Sequence, residues 1–107
     1  MSRFLSVFFV IGISFCLCSC TKMKASYWEI NASLAINNGN YEKAEEFYKK
    51  VIALEPNVAE HHRSLATVYV SMKENNKVKK EIEILQKMGR KDLADQALFL
   101  LNQPLEE

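Results

Sequence analysis

Apolar residues fall into two regimes along the chain. Residues 4–17 are almost continuously apolar: Phe4, Leu5, Val7, Phe8, Phe9, Val10, Ile11, Ile13, Phe15 and Leu17. From Thr21 onward the apolar positions recur at helical spacing among charged ones. Ala44, Phe47, Tyr48, Val51 and Ile52 follow the i, i+3, i+4, i+7, i+8 pattern of an amphipathic helix. Leu65, Val68, Tyr69 and Met72 repeat it, as do Val78, Ile82 and Leu85. The pattern and its punctuation predict five helices, over about residues 26–37, 41–54, 58–72, 76–88 and 92–101. Asn37-Asn38-Gly39-Asn40 closes the first, with a glycine suited to left-handed backbone. Asn40 is placed to cap the second and Asn57 the third. Pro56 stops the second, Gly89 the fourth, and Pro104 lies beyond the fifth. Turns this short imply antiparallel helical hairpins.

With 107 residues the chain holds one domain, and 49% apolar content with three Gly and two Pro describes a folded helical protein. The net charge is +1 and Arg3 lies ahead of the apolar run, so the remainder is balanced. A balanced chain lacks the clustered cations that nucleic acid needs. Lys73, Lys77 and Lys80 share a helical stripe, but Glu74, Glu81 and Glu83 interrupt it, which describes a solvated face. No phosphate-binding glycine loop and no Ser-His-Asp spacing is present, so no enzyme activity and no cofactor are expected. Neighbouring His61 and His62 point about 100° apart on a helix. They are therefore expected to be surface or interface residues rather than metal ligands.

The N-terminal segment has the layout of an export signal: Arg3, the apolar run, then Leu17-Cys18-Ser19-Cys20. It resembles a bacterial lipoprotein signal, with Leu17, a small residue at Ser19, and Cys20 as the acceptor. The resemblance implies cleavage after Ser19, a lipid on Cys20 and, with Thr21 rather than Asp next, an outer-membrane location facing the periplasm over the inner membrane. The expected organisation is a signal helix over residues 1–19, a lipidated tether over 20–25 and a helical domain over 26–103. All three cysteines (Cys16, Cys18 and Cys20) lie in the first twenty residues, so no disulfide framework is expected in the mature domain.

The helical domain resembles the tetratricopeptide repeat, a helical hairpin of about 34 residues. Placing Pro56 at the repeat's proline puts Trp28, Ala32, Gly39, Tyr41 and Ala44 on its signature positions. Asn31 and Ala35 depart from the usual Leu and Tyr. One period on, Leu65, Ala66 and Tyr69 fit again, while Lys73 replaces the turn glycine and Val78 a small residue. The implied fold is all-α: unit one at 25–58, unit two at 59–92 and a capping helix at 92–101. Ala32, Ala44 and Ala66 sit where paired helices cross closely, where larger side chains overpack.

The resemblance also implies a concave groove lined by the first helix of each hairpin. Carried over, it comprises Glu29, Ser33, Ile36 and Asn37 from unit one and Arg63, Thr67 and Val70 from unit two. Glu29 and Ser33 stand where a carboxylate clamp would need Lys and Asn, so a groove for a peptide or helix segment of another envelope protein is expected instead. Two units and a cap are few for a solenoid, so self-association or docking on a partner is expected to add stability. The alternatives are a secreted or self-associating structural subunit without lipid, and an accessory subunit held by an uncleaved anchor.

Overall fold

The computed structural model describes the backbone of residues 2–104 and the side chains of residues 20–104. Five helices follow one another: α1 (Ser2–Asn37), α2 (Tyr41–Leu54), α3 (Ala59–Ser71), α4 (Asn75–Lys87) and α5 (Lys91–Asn102). The chain is all-α over the described residues. The helix ends fall within two residues of the expected ones, with one exception. Residues 20–25, expected as a tether, are helical and continuous with the rest of α1. Ala25 is buried, so the packed part of α1 begins at least there. The physical reason is composition: Thr21-Lys22-Met23-Lys24-Ala25 contains no Gly or Pro to interrupt a helix. The side chains of the segment expected to be a signal, Cys16 and Cys18 included, lie outside the described ones.

Consecutive helices pack on one another, and α5 also packs on α3. The shared core runs from Ala32 and Ala35 of α1 through Ala44 and Tyr48 of α2. It continues through Leu65, Ala66, Val68 and Tyr69 of α3 and Val78, Ile82 and Leu85 of α4 to Leu93, Ala94 and Ala97 of α5. Ala32, Ala44 and Ala66 are each 0% exposed, as their place at the close helix crossings requires.

Three of the four turns close the same way. Asn40 N–H donates to Ala35 C=O, Glu74 N–H to Tyr69 C=O and Arg90 N–H to Leu85 C=O, at 2.8, 3.0 and 3.0 Å. This closure needs one residue in the left-handed region. Gly39 (φ 73°), Lys73 (φ 62°) and Gly89 (φ 74°) supply it. The turn between α2 and α3 carries Pro56 instead. Asn40 caps α2 as expected, accepting from Lys43 N–H at 3.3 Å. The cap of α3 is Val58 rather than Asn57, and it has no side-chain hydrogen bond.

Candidate functional site: the groove and the junctions between helices

The expected groove residues lie on α1 and α3. Ser33 and Asn37 are exposed, and Ile36, Arg63, Thr67 and Val70 are half-buried. The two apolar members, Ile36 and Val70, pack against the core, so their free surface is limited. The α3 hydroxyls are engaged locally: Ser64, Thr67 and Ser71 donate to the carbonyls of Glu60, Arg63 and Thr67. Glu29 is drawn aside, with Oε1 3.5 Å from His61 Nδ1. The Arg63 guanidinium makes no hydrogen bond or ion pair among the described residues, which leaves it as the open charge of the expected groove.

His61 and His62 are not surface residues: they are 6% and 9% exposed. The reason is that α3 is wrapped by neighbours on more than one side, which residue spacing on α3 alone does not reveal. His61 joins the two hairpins, its Nε2 lying 3.2 Å from Glu55 Oε1 and its Nδ1 facing Glu29. His62 Nδ1 meets Glu81 Oε2 on α4 at 2.8 Å, and Glu81 is itself 8% exposed. A carboxylate only accepts, so the imidazole N–H is the donor of that bond. The 34-residue shift was the signal that could have found this pair, because it carries Trp28 onto His62 and Phe47 onto Glu81. No group of three or more metal-ligating side chains occurs among the described residues.

In unit one Trp28 stacks on Phe47 with centroids 5.4 Å apart, and Lys50 Nζ lies 4.1 Å over the indole. A second cluster ties three helices together. Glu45 of α2 binds Lys49 at 2.9 Å, faces Lys77 of α4 at 3.6 Å and accepts from the Tyr69 hydroxyl of α3 at 3.3 Å. Partial burial opposes its charge, but Lys49, Lys77 and Tyr69 outweigh that and hold the carboxyl below its ordinary value. Burial first, then the Glu45 charge, pushes the Tyr69 phenol up. Lys77 Nζ lies 5.3 Å over the same phenol ring. At the surface, Arg90 bridges Glu60 of α3 at 2.9 Å and Asp92 of α5 at 3.0 Å. The Lys73–Lys77–Lys80 stripe is thus partly occupied, since Lys77 faces Glu45 and Glu74.

Cys20 is exposed and free among the described residues. Within those residues no helix is long and apolar enough to cross a membrane. The apolar run over residues 4–17 falls largely among the side chains left undescribed.

No curated protein and no solved structure matches the chain. A family model does: that of the tetratricopeptide repeat, over residues 25–58. The matched segment takes in the packed part of α1, all of α2 and the proline turn, and it contains Trp28, Ala32, Gly39, Tyr41, Ala44 and Pro56. The family is a protein-interaction fold and typically carries no catalytic centre. Residues 25–58 match the tetratricopeptide repeat.

Proposed function

We propose that the chain is a lipid-anchored scaffold of the bacterial cell envelope, binding another envelope protein through the groove of α1 and α3. The repeat over residues 25–58 carries the interaction half of this reading. The sequence Leu17-Cys18-Ser19-Cys20 behind an apolar run supports the anchor half. A lipid on Cys20 holds the domain at the bilayer surface, since two or more acyl chains bind stably at about 0.8 kcal/mol per buried CH₂. Because Cys20 and Glu29 share α1, the anchor and the groove belong to one continuous helix. Thr21 after the acceptor cysteine directs the protein to the outer membrane, facing the periplasm. In the groove, Arg63 is the charge available to a partner's carboxylate. The chain works by binding rather than catalysis and uses neither a cofactor nor a metal ion.

The deciding experiment is Cys20→Ser, read by metabolic lipid labelling and by membrane fractionation. The expected result is loss of both label and retention. Persisting label overturns the anchor at Cys20, and retention without label points to an uncleaved anchor. Crosslinking from membranes with Arg63→Glu beside the wild type tests the groove. A partner captured equally by both places the contact elsewhere.

A further inference from the structure

We infer that α1 pairs with α1 of a second copy, parallel and in register, through Met23, Tyr27, Ile30 and Leu34. These side chains are 72%, 60%, 63% and 54% exposed. Their spacing of four, three and four residues is the repeat of a coiled-coil seam. A seam of that period stays in line with another helix over its whole length, which a flat or globular partner surface does not require. Cys20, three residues before Met23 and also exposed, continues the same spacing.

The repeat itself marks this face as a contact face. One period on, Tyr27 and Leu34 correspond to His61 and Val68, which are 6% and 1% exposed. His61 is buried against the preceding hairpin, where it meets Glu29 and Glu55. The same positions on α1 face solvent.

Charge selects a second copy as the occupant. Along α1 the seam is flanked by Ser26, Asn31, Ser33 and Asn38, all neutral, with Lys24 at the outer end, while Lys43 of α2 shares a hollow with Leu34 at the inner end. Two identical helices therefore meet with like charge confined to the two ends of the seam. The other exposed apolar patch, Leu98 and Phe99 on α5, is different. Phe99 borders a shallow hollow of about 430 Å³ lined also by Leu100, Gln96, Asp95 and Asp92; Asp92 is paired with Arg90, so two copies meeting there would bring the Asp95 carboxylates together. The four α1 side chains present on the order of 500 Å² per copy, or about 1,000 Å² for the pair when fully covered, which is the size of a weak interface.

The parallel sense rests on the anchor proposed above. With Cys20 of both copies held at one bilayer face, the two helices leave the membrane side by side, and confinement raises their effective concentration. The pair then presents two grooves to one partner assembly.

Leu34→Cys in the full chain, oxidised mildly in membranes, tests the seam. The linked peptide and the lipid on Cys20 are both read by mass. The expected product is a Leu34→Cys homodisulfide that falls by about tenfold or more when Ile30→Glu puts a charge into the seam. Lys79→Cys on exposed α4 is expected not to crosslink. Both α1 positions are largely exposed, so unchanged helical circular dichroism separates lost pairing from lost folding. A folded, lipidated chain without the Leu34→Cys dimer overturns the pair and leaves the anchor standing. A Leu34→Cys dimer in a chain without lipid supports the pair and overturns the anchor. A mixed disulfide between Met23→Cys and Leu34→Cys copies, without the homodisulfide, indicates an antiparallel pair and overturns the parallel seam.

Discussion

Unit one and unit two build one hairpin with different chemistry at the same places. In unit one, Trp28 of α1 stacks on Phe47 of α2 at 5.4 Å. In unit two the equivalent positions hold His62 of α3 and Glu81 of α4, hydrogen-bonded at 2.8 Å. Lys50, which covers the indole, is replaced by Ile84. The two solutions respond differently to damage. An aromatic stack is worth about 0.5–1.5 kcal/mol beyond its burial and degrades gradually. A buried polar pair depends on both members, because removing one strands the other without water.

The largest effect is expected at this pair. His62→Leu leaves Glu81 buried with no partner and is expected to destabilise by about 3 kcal/mol or more. The companion variant His62→Leu/Glu81→Leu removes both polar groups and is expected to recover most of that loss. Trp28→Leu, at the matching site of unit one, leaves no orphaned charge. Chemical denaturation of the four proteins checks the comparison. If His62→Leu and Trp28→Leu cost the same and the double variant recovers nothing, the buried pair is not what distinguishes the units.

A second difference lies in the turns. Gly39 and Lys73 are one period apart, and both are left-handed, at φ 73° and 62°. Glycine adopts that conformation freely, whereas a residue with a Cβ pays roughly 1–2 kcal/mol. Lys73→Gly is therefore expected to stabilise the protein by about 1 kcal/mol, less than the steric cost because glycine also frees the unfolded chain. Gly39→Lys is expected to move stability the other way by a similar amount. Nothing lies within 4 Å of a Cβ added at Gly39, so backbone conformation alone is under test. Paired thermal melts in which both variants move in the same direction would break the symmetry.

Unit one was the readable one. Trp28, Gly39, Asn40 and Pro56 act through local geometry that spacing reveals, and their elements fall where the pattern put them. Unit two lost its proline, its turn glycine and its cap asparagine to Arg90, Lys73 and Glu74. Its helices were legible from apolar period and from Gly89 at its end, and its polar core was not. Whether His62 meets solvent or Glu81 depends on how α4 lies across α3, a tertiary fact. The same limit hid the Glu29–His61–Glu55 junction, which needs α1, α3 and the end of α2 together. The continuity of α1 was missed for another reason. Composition marks a change of regime near Thr21, but a change in polarity does not end a helix without a breaking residue. For the residues expected to line the groove, availability was not legible, since burial of Ile36 and Val70 and the engagement of Glu29 arise from packing.

The smallest expected effect separates the units by pH. Glu45 ties α2 to α3 and α4 through Lys49, Tyr69 and Lys77, whereas its equivalent one period on, Lys79, is exposed on α4. Glu45 is held below its ordinary value of 4.5, because its cationic and hydroxyl partners outweigh the opposing effect of partial burial. In the unfolded chain those partners are dispersed and the carboxyl returns towards that value. A depressed folded value means that the unfolded state binds a proton first as the solution is acidified. The stabilisation from Glu45 is therefore complete above about pH 4.5, and it is lost as the pH falls through the lower folded value. Glu45→Gln keeps the shape and removes the charge, so its melting temperature should fall less than the wild type's on acidification below that point. The two curves are expected to run parallel between pH 6 and 8, offset by the lost charge interactions. Salt should narrow the offset only in part, because Glu45 is largely shielded while Lys77 is more open. Thermal melts of both proteins from pH 7 down to 3 measure the difference, and identical acid limbs would show that this junction is held by packing around Tyr69 rather than by the Glu45 charge.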